Sequence, residues 1–247
     1  MLLAAMFLLF WLGLYLRKRW NILNLEAKGG VLTIQSALLA LFGFILAFTF
    51  GMSGNRYDYV RDVNIDESNA IGTAILRSGL YSDSVKQIFH THFNEYLEGR
   101  ILMYKDPADL AKVSEGKKNA GTAANSLWQL AMQQSKLPNM LIPSNNMVPA
   151  LNEMFDIGAK RDILLRTSIP DLIIYMLLTL ALLISFTGGI TSTGELGIRD
   201  LIVICCFIIF TSLIIYITLD LGRPLRGLIR AGAAEQSILD LRLLLRQ

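Results

Sequence analysis

Residues 1–16, 29–55, 172–194 and 201–219 contain no Asp, Glu, Lys or Arg. About 20 apolar residues in a row cross a bilayer as a helix. An ionised side chain at the centre of such a helix costs several kcal/mol. Charge avoidance on this scale, at four places in 247 residues, serves no purpose in water. It predicts an all-α integral membrane protein with four transmembrane helices.

The rest of the composition agrees. Only 17% of the residues are charged, against roughly 25% in an ordinary soluble domain. The formal net charge of +3 is small and spread along the chain, so no nucleic-acid partner is expected. Cys205 and Cys206 are adjacent inside the last apolar window, and neighbours on a helix diverge too far to pair. The first window lacks a basic segment ahead of it and is followed by Arg17, Lys18 and Arg19. That order argues for a retained helix rather than a cleaved leader. At 16 residues it is short, about 24 Å, with Tyr15, Arg17 and Trp20 left to reach the interface.

Four segments follow from the charge pattern: transmembrane helices 1 and 2 over 1–55, an extramembrane helical domain over 56–168, helices 3 and 4 over 169–220, and an amphipathic tail over 221–247. The second window becomes charged at Arg56 without any loop-like composition. Tyr57, Val60, Ile71, Ala74 and Ile75 keep helical spacing, so one helix is expected to run over roughly residues 30–77 and to leave the membrane. Beyond it, residues 82–101 read as an amphipathic helix through Val85, Ile88, Phe89, Phe93 and Leu97. Residues 117–124 are small and polar and are expected to be a loop. Residues 126–134 suit a short helix, 138–149 a proline-marked break, and 147–167 a further helix. Such short helices are expected to need the long second helix, or neighbouring subunits, to build a core.

An even number of spans puts the 56–168 domain and the tail on one side. Arg56, Arg61, Lys160, Arg161, Arg166, Arg223, Arg226 and Arg230 lie near span ends there, outnumbering Arg17, Lys18, Arg19, Lys28 and Arg199 opposite. The positive-inside rule then places the domain in the cytosol.

Three segments carry a likeness to known proteins. They are FGFILAFTFGMS from Phe42 to Ser53, leading into Arg56 and Tyr57; DESNAIGT from Asp66 to Thr73; and TLDLGRPLRG from Thr218 to Gly227. With the two-plus-two arrangement of spans, these resemble the bestrophin-like domain family of membrane proteins. The sequence departs from the usual pattern at Ser68, and Leu221 and Gly222 loosen the acidic–Arg spacing. The resemblance implies a subunit of a homo-oligomeric ion channel in a bacterial inner membrane. It also implies a pore lined by the second helix, anions as the candidate permeant species, and five subunits by analogy. Membrane lipid and a permeant ion are the other expected partners. The alternative from the residues alone is a non-conducting membrane scaffold or sensor that recruits a partner through residues 56–168.

If copies of the second helix surround an axis, Gln35, Phe44, Phe48, Met52 and Asn55 are the pore-lining candidates, with the two phenylalanines as a dewetting constriction. The blander outcome is that both phenylalanines pack on lipid or on other helices. Gln35 suits a vestibule or an interhelical hydrogen bond equally well. Asp66, Glu67 and Asn69 are candidates for an ion-selective ring or for an inter-helix salt bridge to Arg61 or Arg77. Asp220, Arg223 and Arg226 are expected to form a structural ion pair. His90 and His92 diverge on a helix and only His92 and Glu95 share a face, too few ligands for a metal. No catalytic residues and no cofactor are expected, because no nucleophile, P-loop or paired-cysteine motif anchors an enzyme.

Overall fold

The computed structural model describes residues 1–20, 27–105, 109–167, 169–192, 197–223 and 232–245. Helices make up the elements there: α1 (Leu2–Trp20), α2 (Ala27–Arg77), α3 (Asp83–Lys105), α4 (Leu110–Gln134), α5 (Leu141–Arg166), α6 (Asp171–Thr191), α7 (Ile198–Leu221) and α8 (Gly232–Leu244). A single 3-10 turn, Ser78–Leu80, separates α2 from α3. The described residues contain no strand. α2 is one uninterrupted helix of 51 residues, so the charge at Arg56 changes its surroundings without ending it.

Among the described residues, three helices are long and apolar enough to cross a membrane: the one starting at Gly29, α6 and α7. α1 is not among them. Its last turn holds Arg17, Lys18 and Arg19, which leaves an apolar stretch short of the usual span.

The chain divides into two compact units, each made of two separate stretches of sequence. The first contains Met1–Arg56 and Ser168–Gly222. Its core is Met6, Phe10 and Leu14 of α1, Phe42 of α2, Leu177, Ala181 and Ile184 of α6, and Ile208 and Ile215 of α7. α1 and α6 touch backbone to backbone. A Cβ on Gly189 would lie 2.1 Å from the Phe10 carbonyl oxygen, and one on Gly13 would lie 2.3 Å from that of Phe186. Close crossings at small residues are how helices associate where lipid removes the hydrophobic drive between them. Asp171 is the first residue of α6, directly after Pro170, a start the proline favours.

The second unit contains Tyr57–Thr167 and Arg223–Gln247. Its core gathers Ile71 and Ala74 of α2, Phe89, Phe93 and Leu97 of α3, Leu127 of α4, Met147, Leu151 and Met154 of α5, and Ile238 and Leu241 of α8. Asp109 starts α4 by accepting hydrogen bonds from the Ala111 and Lys112 N–H groups at 3.1 and 3.2 Å, the ordinary N-cap arrangement.

Two expectations fail here. Residues 117–124 are not a loop; they are the middle of α4. Their small side chains let α4 approach α3: a Cβ on Gly99 would be 2.6 Å from the Ala120 nitrogen, and one on Gly116 would be 2.6 Å from the Gly99 carbonyl. Low hydrophobicity there marks a close crossing. Nor is 138–149 a break throughout, since α5 begins at Leu141 and contains Pro149. Pro143 falls in the first turn, where the missing N–H has no partner to lose. Past Pro149 the helix is held by the buried Met147, Leu151 and Met154. The actual turn lies just upstream, where Asn139 has a φ of 66°, a left-handed conformation asparagine tolerates. These longer helices give the second unit a core of its own, with α2 contributing to it.

Candidate functional site

α2 carries every candidate that the second apolar window supplied, and its two sides differ. Within the first unit Phe42, Thr49 and Ser53 are buried. On the other side Phe44 is 71% exposed and Phe48 59% exposed; Gly51 and Asn55 are exposed as well, and Met52 is half-buried. A Cβ on Gly43 or Gly51 would meet nothing within 4 Å. Glycine in a helix interior costs roughly 1 kcal/mol against alanine, and nothing in the single chain accounts for these two. The stripe Phe44, Phe48, Gly51, Asn55 advances by four, three and four residues, which keeps it on one face.

Gln35 makes a helix-to-helix bond. Its Oε1 accepts from the Thr191 hydroxyl of α6 at 2.6 Å. At the other end of this unit the Arg56 Nε donates to the Gly222 carbonyl at 3.1 Å, tying α2 to the end of α7. A Cβ on Gly222 would sit 2.9 Å from Ile169 Cδ1, so a side chain here would push the end of Ile169 aside. Arg56 and Gly222 belong to two of the segments that carry the family likeness, and sequence spacing gave no reason to join them. Asp220 is half-buried and Arg223 exposed, while Arg226 lies outside the described residues.

The acidic candidates separate by face in the second unit. Asp66 and Asn69 are exposed, as are Asp58 and Asp62. Asp58, Asp62 and Asp66 recur every four residues and form an open acidic stripe, with Arg61 paired to the first two at 3.5 and 3.3 Å. Glu67 points the other way and is fully buried, 0% exposed. It binds Arg161 of α5 and Arg100 of α3, the latter as an ion pair of 2.5 Å. Arg100 also reaches Asp162 at 2.8 Å and donates to the Gly158 carbonyl at 3.1 Å. The Tyr104 hydroxyl donates to Asp162 at 3.2 Å, and the Arg161 guanidinium lies 3.4 Å from the centre of the Tyr104 ring. The inter-helix bridge expected of Glu67 therefore exists with different partners. Arg61 bonds within its own helix, and Arg77 donates to the Asn146 carbonyl at 2.7 Å.

Two arginines against two carboxylates make the cluster electrically balanced. Burial works against the charge on Arg100, but Glu67, Tyr104, Tyr96 and Asp162 together outweigh it and raise the arginine pKa. Burial, reinforced by Glu67, pushes the Tyr104 phenol well above its ordinary value. Burial likewise raises Tyr96, so both phenols stay neutral hydrogen-bonding groups. The remaining residues of the acidic motif are also structural: Ala70 and Ile71 are buried, and Gly72 lies under Leu241 of α8, 3.3 Å from a notional Cβ. Sequence reasoning missed Arg100 and Arg161. The available signal was an arginine four residues after Tyr96 on the apolar face of α3, where a lone cation requires a buried partner.

His90 Nε2 faces the Ser78 hydroxyl at 3.1 Å, and His92 Nδ1 faces Glu95 at 3.0 Å. The two histidines thus serve different neighbours. Among the described residues no group of three His, Cys, Asp or Glu side chains converges as a metal site would.

No protein-family model and no curated protein matches this chain. Solved structures do. A bacterial bestrophin homologue from Klebsiella pneumoniae superposes with a TM-score of 0.69 at 16% identity, covering 100% of this chain and 98% of that one. Two single-substitution variants of a Klebsiella pneumoniae bestrophin homologue give TM-scores of 0.70 and 0.71, each at 16% identity. They cover 98% and 100% of this chain and 97% and 96% of theirs. At that identity the likeness establishes the fold.

Proposed function

We propose that this chain, which has the bestrophin fold, is one subunit of a homo-oligomeric ion channel in a bacterial inner membrane, with α2 lining the conduit. The observation that carries the reading is the one-sided packing of α2. Thr49 and Ser53 turn inward, while Phe44, Phe48, Gly51 and Asn55 face nothing in the single chain. Copies of this face around an axis would form a ring of phenylalanines, a hydrophobic constriction of the kind that gates by dewetting. Polar Asn55 follows about two turns further along α2. α1 serves as a fourth, short span, and the second unit is cytosolic. Five subunits are proposed by analogy with the fold.

The family resemblance implies anions as the permeant species. The open stripe of Asp58, Asp62 and Asp66 pulls the other way, because carboxylate rings favour cations. The reversal potential under a salt gradient decides between them. Recording from purified protein in planar bilayers tests the whole reading: we expect discrete conductance steps, enlarged by Phe44→Ala with Phe48→Ala. A protein that stays silent across voltage, pH and Ca²⁺ concentration removes the channel reading.

One observation favours the scaffold alternative. Leu137, Leu141 and Ile142, around the turn between α4 and α5, are all strongly exposed and would suit a partner protein. A silent channel together with partner loss on Leu141→Asp would support that reading instead.

A further inference from the structure

A cavity of about 320 Å³ opens between α3, α5 and α8 within the second unit. That volume is at the small end of ligand sites. Ile101, Ile238 and Leu239 supply an apolar wall, and Lys105, Arg161 and Arg242 supply three cations; no carboxylate is part of the lining. Two of these cations are already matched. Arg242 forms a two-pronged bond with Glu98 at 2.7 and 2.6 Å, and Arg161 is bound to Glu67. Lys105 is exposed and makes no ion pair among the described residues. Arg161 is 1% exposed, yet its Nε and Nη2 have no hydrogen-bond partner. Their unspent polarity adds to the positive potential behind the Tyr104 ring. Among the described residues, the cavity therefore carries one uncompensated positive charge beside a greasy wall.

We propose that this cavity binds a small amphipathic monoanion, a carboxylate with a short apolar body. The head group would sit at Lys105, toward Arg242, and the body would cover Ile101, Ile238 and Leu239. A bare halide would leave the apolar wall wet. A dianion such as a phosphate monoester would find, among the described residues, one free cation for two charges. An amine would meet three cations. Because α8 supplies three of the seven lining residues, occupancy would hold the tail helix against α3 and α5.

The test is saturation-transfer NMR on the full chain in nanodiscs, with hexanoate as the probe and hexylamine and acetate as controls. We expect saturable transfer to hexanoate and at least about tenfold weaker binding of either control, roughly 1.4 kcal/mol. Lys105→Met should weaken hexanoate by a similar factor. Leu239→Trp should fill the cavity and abolish binding. Lys105 is exposed, so its variant should keep the ligand-free melting midpoint of the parent and carries the test even if Leu239→Trp unfolds. Equal signals from hexylamine, hexanoate binding indifferent to Lys105→Met, or no saturable binding at all would each overturn the assignment. Indifference to the variant would assign the signal to the lipid.

Discussion

Glu67 shows how one residue can read as functional in sequence and prove structural in space. It sits in an acidic motif beside Asp66, yet only Asp66 faces outward. Removing one member of a buried ion cluster leaves the others charged and unsatisfied, at a cost of about 3–5 kcal/mol. Glu67→Gln should therefore lower the unfolding free energy by that order and deplete folded protein, whereas Asp66→Asn should leave the melting midpoint nearly unchanged. Chemical denaturation of both variants in detergent checks the contrast. His90 gives a prediction with a sign. Burial, aided by Lys86, lowers its pKa, so the folded protein binds its proton less readily than the unfolded chain. The associated stability is intact above the ordinary histidine value of about 6.5 and is lost as pH falls below it. Melting midpoints measured from pH 7.5 to 5 should fall, and His90→Gln should flatten that part of the curve.

Glycines decide how the helices meet. Gly13 and Gly189 allow the α1–α6 contact, and Gly99 and Gly116 the α3–α4 contact, each with backbone atoms where a side chain would begin. Gly121 lies on the same α4 helix with open space around it. Gly99→Ala should thus lower the melting midpoint by several degrees, while Gly121→Ala should raise stability by up to about 1 kcal/mol. Differential scanning calorimetry of the two variants distinguishes them. The same glycines mark the limit of what hydrophobic periodicity reveals. The long α2 helix and the α3 helix were legible because apolar residues repeat at helical spacing. The middle of α4 was not, since its contact with α3 is made by glycine and alanine, which carry little hydropathy. Proline misled in the opposite direction at α5, where packing of Met147, Leu151 and Met154 outweighs one lost backbone bond. At the candidate site, helical spacing grouped Phe44, Phe48 and Asn55 on one face of α2, but the buried Thr49 and Ser53 had no apolar signal to mark them. The partners Arg100 and Arg161 did not, because they come from helices far along the chain.

At the scale of the whole molecule, both units are assembled from stretches of sequence that lie far apart. α2 contributes to the core of each, through Phe42 in one and Ile71 in the other. If the open face of α2 is completed by further copies, images of purified particles should show rotational symmetry, with five-fold order expected, and Phe44→Asp should reduce assembly along with conductance. A population of single subunits would count against it. The second unit's core also sets a constraint in time. Ile238 and Leu241 pack with Ile71, Phe89 and Leu151, so that interior stays open while the ribosome makes every residue between. The nascent chain must hold a half-built pocket of bare apolar side chains until α8 has been made, long after α3 and α5 have supplied theirs.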